Sequence, residues 1–407
     1  MKCRHCQSEL TLPLVDLGSA PPSNAYLTTQ TLRAPEKYFP LRVLVCTECW
    51  LAQTEDYTQA EELFDADYAY FSSTSTGWLA HAARYAEKMT QKLALTQDSL
   101  VIEVASNDGY LLKNFVAAGI PCLGIEPTAS TAAAAEQLGI PVMREFFGEQ
   151  LGKQLAATGQ QADLIAGNNV YAHVPDINDF THGLKAVLKP GGTITLEFPH
   201  LMQLLEHTQF DTIYHEHFSY LSLYTVSRIF KAAGLRVYDV EELSTHGGSL
   251  RIYGCHIDDA RQTTPAVTAM LAAEELRGLQ TSATYQNFQI KADKVKDDLL
   301  AFLIEQKRAG KTVAAYGAAA KGNTLLNYGG VKPDLLSFVC DAAAAKQGKF
   351  MPGSHIPILS PAVLLEQRPD YLVILPWNIA AEVKQQNARL AELGTKFVMA
   401  VPKLEIA

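Results

Sequence analysis

SLVIEVASNDGYLLKNFVAAG, residues Ser99–Gly119, decides the fold. A short apolar, β-rich run ending at Val104 enters a turn of small and polar residues, Ala105 to Gly109, and then a helical pattern takes over. Reading outward, the same grammar repeats in PCLGIEPTASTAAAAEQLG (Pro121–Gly139), ADLIAGNNVYAHV (Ala162–Val174), a helix ending GLKAVLKPGG (Gly183–Gly192) and TITLEFPH (Thr193–His200). Strands alternating with helices mean βαβ units and a parallel sheet, and ligands of such sheets sit at the carboxyl ends of the strands. The residues to watch are therefore Ala105 to Gly109, Glu126, Asn168 with Asn169, and Glu197 to His200.

In the first of these turns Ser106, Asn107, Asp108 and Gly109 lead into the helix, whose free N–H groups suit an anionic group such as a carboxylate. About 20 residues on, Glu126 closes the second strand, where a carboxylate takes ribose hydroxyls in nucleotide-binding α/β folds. Asn168 follows the next strand. The dinucleotide fingerprint GxGxxG is absent, so the signal lies in the ordered series and not in glycines alone.

The composition sets limits. The chain has 407 residues, 48% hydrophobic and 19% charged, with 34 basic against 43 acidic side chains and a formal net charge of −9. At about 100–200 residues per domain this is two to three domains with real cores. An acidic chain is a poor binder of nucleic acid. No run reaches the ~18 apolar residues of a membrane span, and MKCRHCQSEL has no apolar stretch after its basic residues. The expectation is a soluble, cytoplasmic protein that holds any phosphate locally.

Four of the seven cysteines, Cys3, Cys6, Cys46 and Cys49, form two CxxC pairs near the start. Two such knuckles supply four thiolates to one tetrahedral zinc ion, with ELTLPLVDLG (Glu9–Gly18) and EKYFPLRVLV (Glu36–Val45) read as the strands that bring them together. With all four positions filled by sulfur, the zinc would be structural. Cys122, Cys255 and Cys340 read as small core residues.

DTIYHEHFSYLS (Asp211–Ser222) lies between the strand at Thr193 and the helix YTVSRIFKAAG (Tyr224–Gly234), over the carboxyl ends of the sheet. It carries Tyr214, His215, Glu216 and His217 in a row. In an extended segment alternate residues face opposite ways, so a turn is needed for them to converge. HEH lacks the HExxH spacing of a metal helix. THGGSLRIYG (Thr245–Gly254) closes the sheet through a Gly247–Gly248 hairpin, whose His246 and Arg251 either reach the pocket or merely decorate it. After a helical stretch from Pro265 to Arg308, KTVAAYGAAAKGNTLLNY (Lys311–Tyr328), LLSFVCD ending at Asp341, and DYLVILPW (Asp370–Trp377) spell a second, smaller Rossmann-like domain. Its loop Gly317–Gly322, with Lys321, can cradle a diphosphate. Asp341, about 20 residues after Gly317, also allows a dinucleotide, although Ala319 stands where a fingerprint glycine belongs.

ExASNDG, GIEP and LKPGG resemble the class I S-adenosylmethionine-dependent methyltransferases. Together with the cysteine module, YHEH, THGGSLR, GAAAKGNTLLNY and PGSHIPI (Pro352–Ile358), they resemble the sugar C-methyltransferases of deoxysugar biosynthesis over nearly the whole chain. One departure is visible: Ala105 stands where glycine is usual, and close approach is expected if its φ stays negative. The resemblance implies a zinc-binding domain (1–70), a class I, Rossmann-like methyltransferase domain (71–260) and a Rossmann-like nucleotide-sugar domain (261–407). It implies methylation of a ring carbon, C-3, of a nucleotide-linked, dTDP-linked 4-keto-6-deoxysugar through a base-generated enolate. His217 is the proton acceptor by resemblance, with Glu216 orienting it or contacting the sugar and Tyr214 beside them. His173 is placed near the ketone oxygen, Tyr68 near the methyl group, and Lys321 and Asn323 on the nucleotide sugar; His246 is a further candidate ligand. Two rival readings stay open: a nicotinamide-dependent oxidoreductase or isomerase built on GAAAKG and Asp341, and a non-catalytic zinc-ribbon interaction protein on a degenerate scaffold. The sequence leaves the oligomeric state open.

Overall fold

The structure, a computed structural model, describes residues 1–55 and 71–407. Tyr68 lies outside the described residues. Among the described residues, three sheets carry the fold. The first is small: β1 (Leu12–Ala20), β2 (Phe39–Val45) and β3 (Ala52–Thr54) pair antiparallel, and Ser219–Tyr220 (β9 in chain order) is added beside β3 from the middle of the chain. β1 and β2 are the strands expected from ELTLPLVDLG and EKYFPLRVLV, and they bring the two cysteine pairs to one end.

The central sheet is built from β4 (Val101–Val104), β5 (Cys122–Ile125), β6 (Val142–Met143), β7 (Ala162–Asn168), β8 (Leu188–Pro199), β10 (Leu235–Leu243) and β11 (Ser249–His256). Its order is β10-β11-β8-β7-β4-β5-β6, parallel from β6 to β8, with β11 antiparallel to both of its neighbours. All four residues of β4 are buried, as a strand covered on both faces requires. The β10–β11 hairpin turns at Gly247 and Gly248, both at positive φ. A side chain at Gly247 would collide with Trp377, because its Cβ would lie 2.3 Å from that ring.

Helices Pro265–Leu276, Ser282–Gln286 and Phe288–Arg308 replace the single helical stretch expected after Pro265. Tyr285 stacks on Trp50 with ring centroids 6.0 Å apart, a contact worth about 0.5–1.5 kcal/mol beyond area burial. The third sheet follows: β12 (Val313–Tyr316), β13 (Val339–Cys340), β14 (Ile358–Leu359), β15 (Tyr371–Ile374) and β16 (Lys396–Met399) run parallel, and β17 (Glu405–Ile406) closes one edge antiparallel. Buried apolar residues form one cluster from Leu14 and Val43 through Leu196 and Phe210 to Leu325 and Val398, so the three regions share a core. Cys122, Cys255 and Cys340 are buried within strands, as small core residues should be. Among the described residues, no helix is long and apolar enough to cross a membrane.

Candidate active site

The four cysteine sulfurs all lie within 4.8 Å of one another, with Cys3–Cys49 and Cys6–Cys46 at 3.5 Å. Both knuckles fold alike: Gln7 N–H donates to Cys3 O and Trp50 N–H to Cys46 O, and Gln7 and Trp50 both take positive φ. Four thiolates bonded at ~2.3 Å to a tetrahedral ion lie ~3.8 Å apart, so this donor set fits zinc and leaves no open coordination position.

The carboxyl ends of the central and C-terminal sheets face a shared cavity of about 440 Å³. On the central side its wall includes Ala105, Asn107, Glu126, Asn168 and Asn169. The condition set for close approach at Ala105, a negative φ, is not met: φ is +57° there and +49° at Asn107. Left-handed geometry costs a residue with a Cβ about 1–2 kcal/mol. Ladder-like bonds hold it, Ser106 N–H to Ile125 O at 3.2 Å and Asn107 N–H to Glu126 Oε2 at 2.9 Å. The following helix begins at Leu112, three residues later than the sequence suggests.

Glu126 also accepts Thr128 N–H at 2.9 Å through Oε1, and each carboxylate oxygen retains a second lone pair for a hydroxyl donor. Asn168 Oδ1 and Asn169 Oδ1 are buried acceptors with no protein partner among the described residues, which is the state expected where a ligand amine belongs. These residues fit S-adenosylmethionine. Of the other expected cofactor residues, Ser106, Asp108 and Gly109 sit behind the wall; Asp108 Oδ2 accepts Ser73 N–H at 3.0 Å. Behind them Glu103 is fully buried, and burial followed by the nearby Glu126 and Asp108 carboxylates holds its carboxyl well above the usual range. Trp78, on helix Thr76–Lys92, extends this wall, stacking on His81 at 4.9 Å and meeting His246 edge-on at 5.3 Å.

The YHEH segment makes the turn its chemistry demands. His217 N–H donates to Tyr214 O at 2.9 Å, so Tyr214, Glu216 and His217 line the cavity while His215 points away, its Nε2 donating to Phe39 O at 3.2 Å. His217 Nδ1 lies 3.0 Å from Thr212 O. A carbonyl only accepts, so Nδ1 carries the proton and Nε2 the lone pair. Burial, the neighbouring His173 and His246, and the Lys321 ammonium hold His217 well below the usual histidine range. Burial takes His173 and His246 down to about 4. His173 meets His217 edge-on at 4.6 Å and Tyr214 lies over it at 4.0 Å. The pocket thus holds neutral imidazoles at pH 7.

On the C-terminal side the wall includes Lys321, Lys346 and Asn378. Lys321 Nζ donates to Asn378 Oδ1 at 2.8 Å and lies 4.6 Å over the Trp377 ring; burial brings its ammonium down to about 8. Asn323 is not at this wall. It is buried and its Nδ2 donates to Ser23 O at 2.6 Å, because residues two apart on helix Ala320–Tyr328 cannot face the same way. His246 does line the cavity, whereas Arg251 is turned away into a buried ion pair with Glu197 at 2.6 Å.

Sequence reasoning missed Asn24, whose Nδ2 donates to both Glu216 oxygens at 2.8 and 3.0 Å, and Lys346 at the cavity wall, and also Trp377, whose ring lies under Lys321. Trp377 Nε1–H donates to Asp211 Oδ2 at 2.7 Å, and burial takes that carboxyl up to about 6. The place a dinucleotide would need at the second turn is filled: Tyr26 O–H and Lys346 Nζ both donate to Ala318 O, at 2.5 and 2.8 Å.

A seven-stranded sheet of this order, with a cavity at its carboxyl ends, is the class I, Rossmann-like methyltransferase fold. Three family models match in sequence: "Putative zinc binding domain" over residues 3–64, "Methyltransferase domain" over 78–240, and "C-methyltransferase C-terminal domain" over 244–402. The chain is 34% identical to C-methyltransferase NovU of Streptomyces niveus over 402 residues, 99% of this chain and 96% of the relative. An uncharacterized methyltransferase of Mycobacterium leprae is 28% identical over 99 residues, 24% of this chain and 36% of the relative. Magnesium protoporphyrin IX methyltransferase of Synechocystis PCC 6803 superposes with a TM-score of 0.35 at 14% identity, covering 44% of this chain and 83% of that one. The chain belongs to the C-methyltransferase family and is an S-adenosylmethionine-dependent C-methyltransferase. Neither the nicotinamide nor the non-catalytic reading survives this membership.

Proposed function

We propose that the enzyme methylates a ring carbon, C-3, of a nucleotide-linked, dTDP-linked 4-keto-6-deoxysugar, and that the four cysteines hold a structural zinc ion. The observation that carries this reading is one cavity with three kinds of wall: the carboxylate and amide acceptors of the central sheet, two ammonium groups of the C-terminal sheet, and the YHEH turn between them.

A C–H beside a ketone is weakly acidic, so the reaction needs a base, an electrophile at the developing oxyanion and a methyl donor on the proper face. His217 Nε2 takes the proton, and its tautomer is already set by Thr212 O. Glu216, its two oxygens held by Asn24, contacts the sugar. His173, neutral at pH 7, gives its one ring N–H to the Glu216 carbonyl, so it steadies the catalytic turn and cannot polarise the ketone oxygen as expected, with Tyr214 closing the pocket around them. S-adenosylmethionine, when bound against Asn107, Glu126 and Asn168, supplies the electrophilic methyl group. Lys321 and Lys346 take the diphosphate, the local cations that let an acidic protein hold phosphate.

Incubation with S-adenosylmethionine and a panel of nucleotide-linked 4-keto-6-deoxysugars, followed by mass spectrometry and NMR, tests the reading. The expected product is heavier by one methylene and carries a new methyl group on C-3. Turnover only of ketones lacking the nucleotide would overturn the substrate assignment.

A further inference from the structure

The segment PPSNAY, Pro21–Tyr26, leaves β1 and belongs to neither cysteine knuckle. It turns on itself, Ala25 N–H to Pro22 O at 3.1 Å and Tyr26 N–H to Asn24 O at 2.9 Å. Its contacts go in two directions. Toward the C-terminal domain, Ser23 O accepts Asn323 Nδ2 at 2.6 Å, Tyr26 O–H donates to Ala318 O at 2.5 Å, and Leu27 pairs with Phe350 as an isolated bridge. Toward the catalytic turn it sends one side chain, Asn24, whose Nδ2 spans both oxygens of Glu216. The neighbouring Thr324, on the same helix as Asn323, donates its hydroxyl to Ile213 O at 2.8 Å, so helix Ala320–Tyr328 touches both the strap and the base-bearing segment.

We infer that Asn24 is a positioning residue for Glu216, and that Pro21–Tyr26 is the strap through which the first turn of the C-terminal domain sets the geometry of the catalytic turn. The inference rests on the role given to Glu216 under the proposed function. A carboxylate held by one amide against both oxygens loses its rotation about the terminal torsion, and charge-assisted bonds of this kind are the strong ones. The strap that carries this amide is held in turn by the bonds of Tyr26 to Ala318 and of Asn323 to Ser23, and Ala318 and Asn323 lie on either side of Lys321. Whatever orders that loop, a bound diphosphate included, orders the carboxylate through Asn24, which lies 192 residues from Glu216 in sequence.

Asn24→Asp keeps the shape and replaces the donor with an acceptor; Asn24→Ala removes both. On the full zinc-loaded chain, with the ketosugar that turns over in the panel, Asn24→Asp is expected to lower kcat about 100-fold and Asn24→Ala about 10-fold, with KM for S-adenosylmethionine within about twofold. Tyr26→Phe, which loosens the strap, is expected to lower kcat about fivefold, and the Asn24→Ala/Tyr26→Phe pair less than the product of the two. In a Glu216→Gln background, Asn24→Asp should lose most of its effect, which a merely structural role would not produce. Zinc content and thermal midpoint are read alongside. Wild-type kcat in Asn24→Asp and Asn24→Ala, or a full multiplicative loss on top of Glu216→Gln, overturns the strap. Wild-type kcat in Glu216→Gln itself overturns instead the reading of the site on which the strap depends.

Discussion

Two first turns face each other across the cavity, Ala105–Tyr110 after β4 and Gly317–Lys321 after β12. Both obey one grammar: the acid closing the second strand accepts a backbone N–H of the turn, Glu126 from Asn107 at 2.9 Å and Asp341 from Ala318 at 2.7 Å. What covers them differs. Beside the first turn, Asn168 and Asn169 leave buried acceptors without protein partners among the described residues, and the backbone reaches the cavity at left-handed Ala105 and Asn107. Over the second, Tyr26 and Lys346 close on Ala318, and Lys346 lies 3.7 Å from the Asp341 carboxylate. The same fold unit therefore presents an acceptor-rich, neutral-to-acidic wall in one domain and a cationic one in the other. Neighbouring segments, and not the βαβ unit itself, decide which ligand each turn serves.

The sharpest way to break this comparison is to cross two substitutions. Glu126→Gln should weaken S-adenosylmethionine binding by about 10–100-fold, the scale of a charged hydrogen bond, and leave KM for the ketosugar unchanged. Lys321→Met should do the reverse, raising KM for the ketosugar by about 10-fold with S-adenosylmethionine affinity, read by calorimetry, intact. Equal effects of either substitution on both ligands would end the division of labour.

A smaller effect sharpens the first turn alone. Ala105→Gly relieves a Cβ at positive φ, offset by glycine's extra chain entropy, so denaturant unfolding should show a gain of about 0.5–1 kcal/mol. Destabilisation would mean that the Ala105 methyl packs in a way its backbone does not suggest.

The smallest concerns the neutral imidazoles between the turns. Burial holds His246 at about 4 when folded, below the ~6.5 of an unfolded chain, so the stability it contributes is complete above pH 6.5 and is lost as pH falls from there to 4. Asp211, raised to about 6, works in the opposite sense below that pH. His246→Gln should reduce the slope of stability against pH between 4 and 6.5 by about one proton. An unchanged slope would mean that His246 titrates normally in the fold.

Much of this was legible in the residues. Strand grammar placed β4, β5, β7 and β8 and hence Glu126 and Asn168, the CxxC spacing placed four sulfurs, and the alternation rule required a turn in YHEH. Local spacing also held a signal that went unused: Lys321 and Asn323 are two apart at a helix start, so one of them had to face away. The rest was not local. Asn24 reaches Glu216 across 192 residues and Tyr26 reaches Ala318 across 292, and no periodicity or motif marks contacts that exist only once three domains share a core. The sign of φ at Ala105 was hidden for a different reason, since alanine, unlike glycine or asparagine, does not announce a left-handed turn.

The central claim is that His217, fixed by Thr212 between the two turns, removes the proton from the carbon beside the ketone. Solvent-deuterium exchange at that carbon, followed by NMR with the demethylated cofactor bound so that no methyl transfer can occur, tests it most directly. The account predicts exchange in the wild-type enzyme and loss of exchange, by a factor of about 10²–10⁴, in His217→Asn. Undiminished exchange in that variant would contradict it.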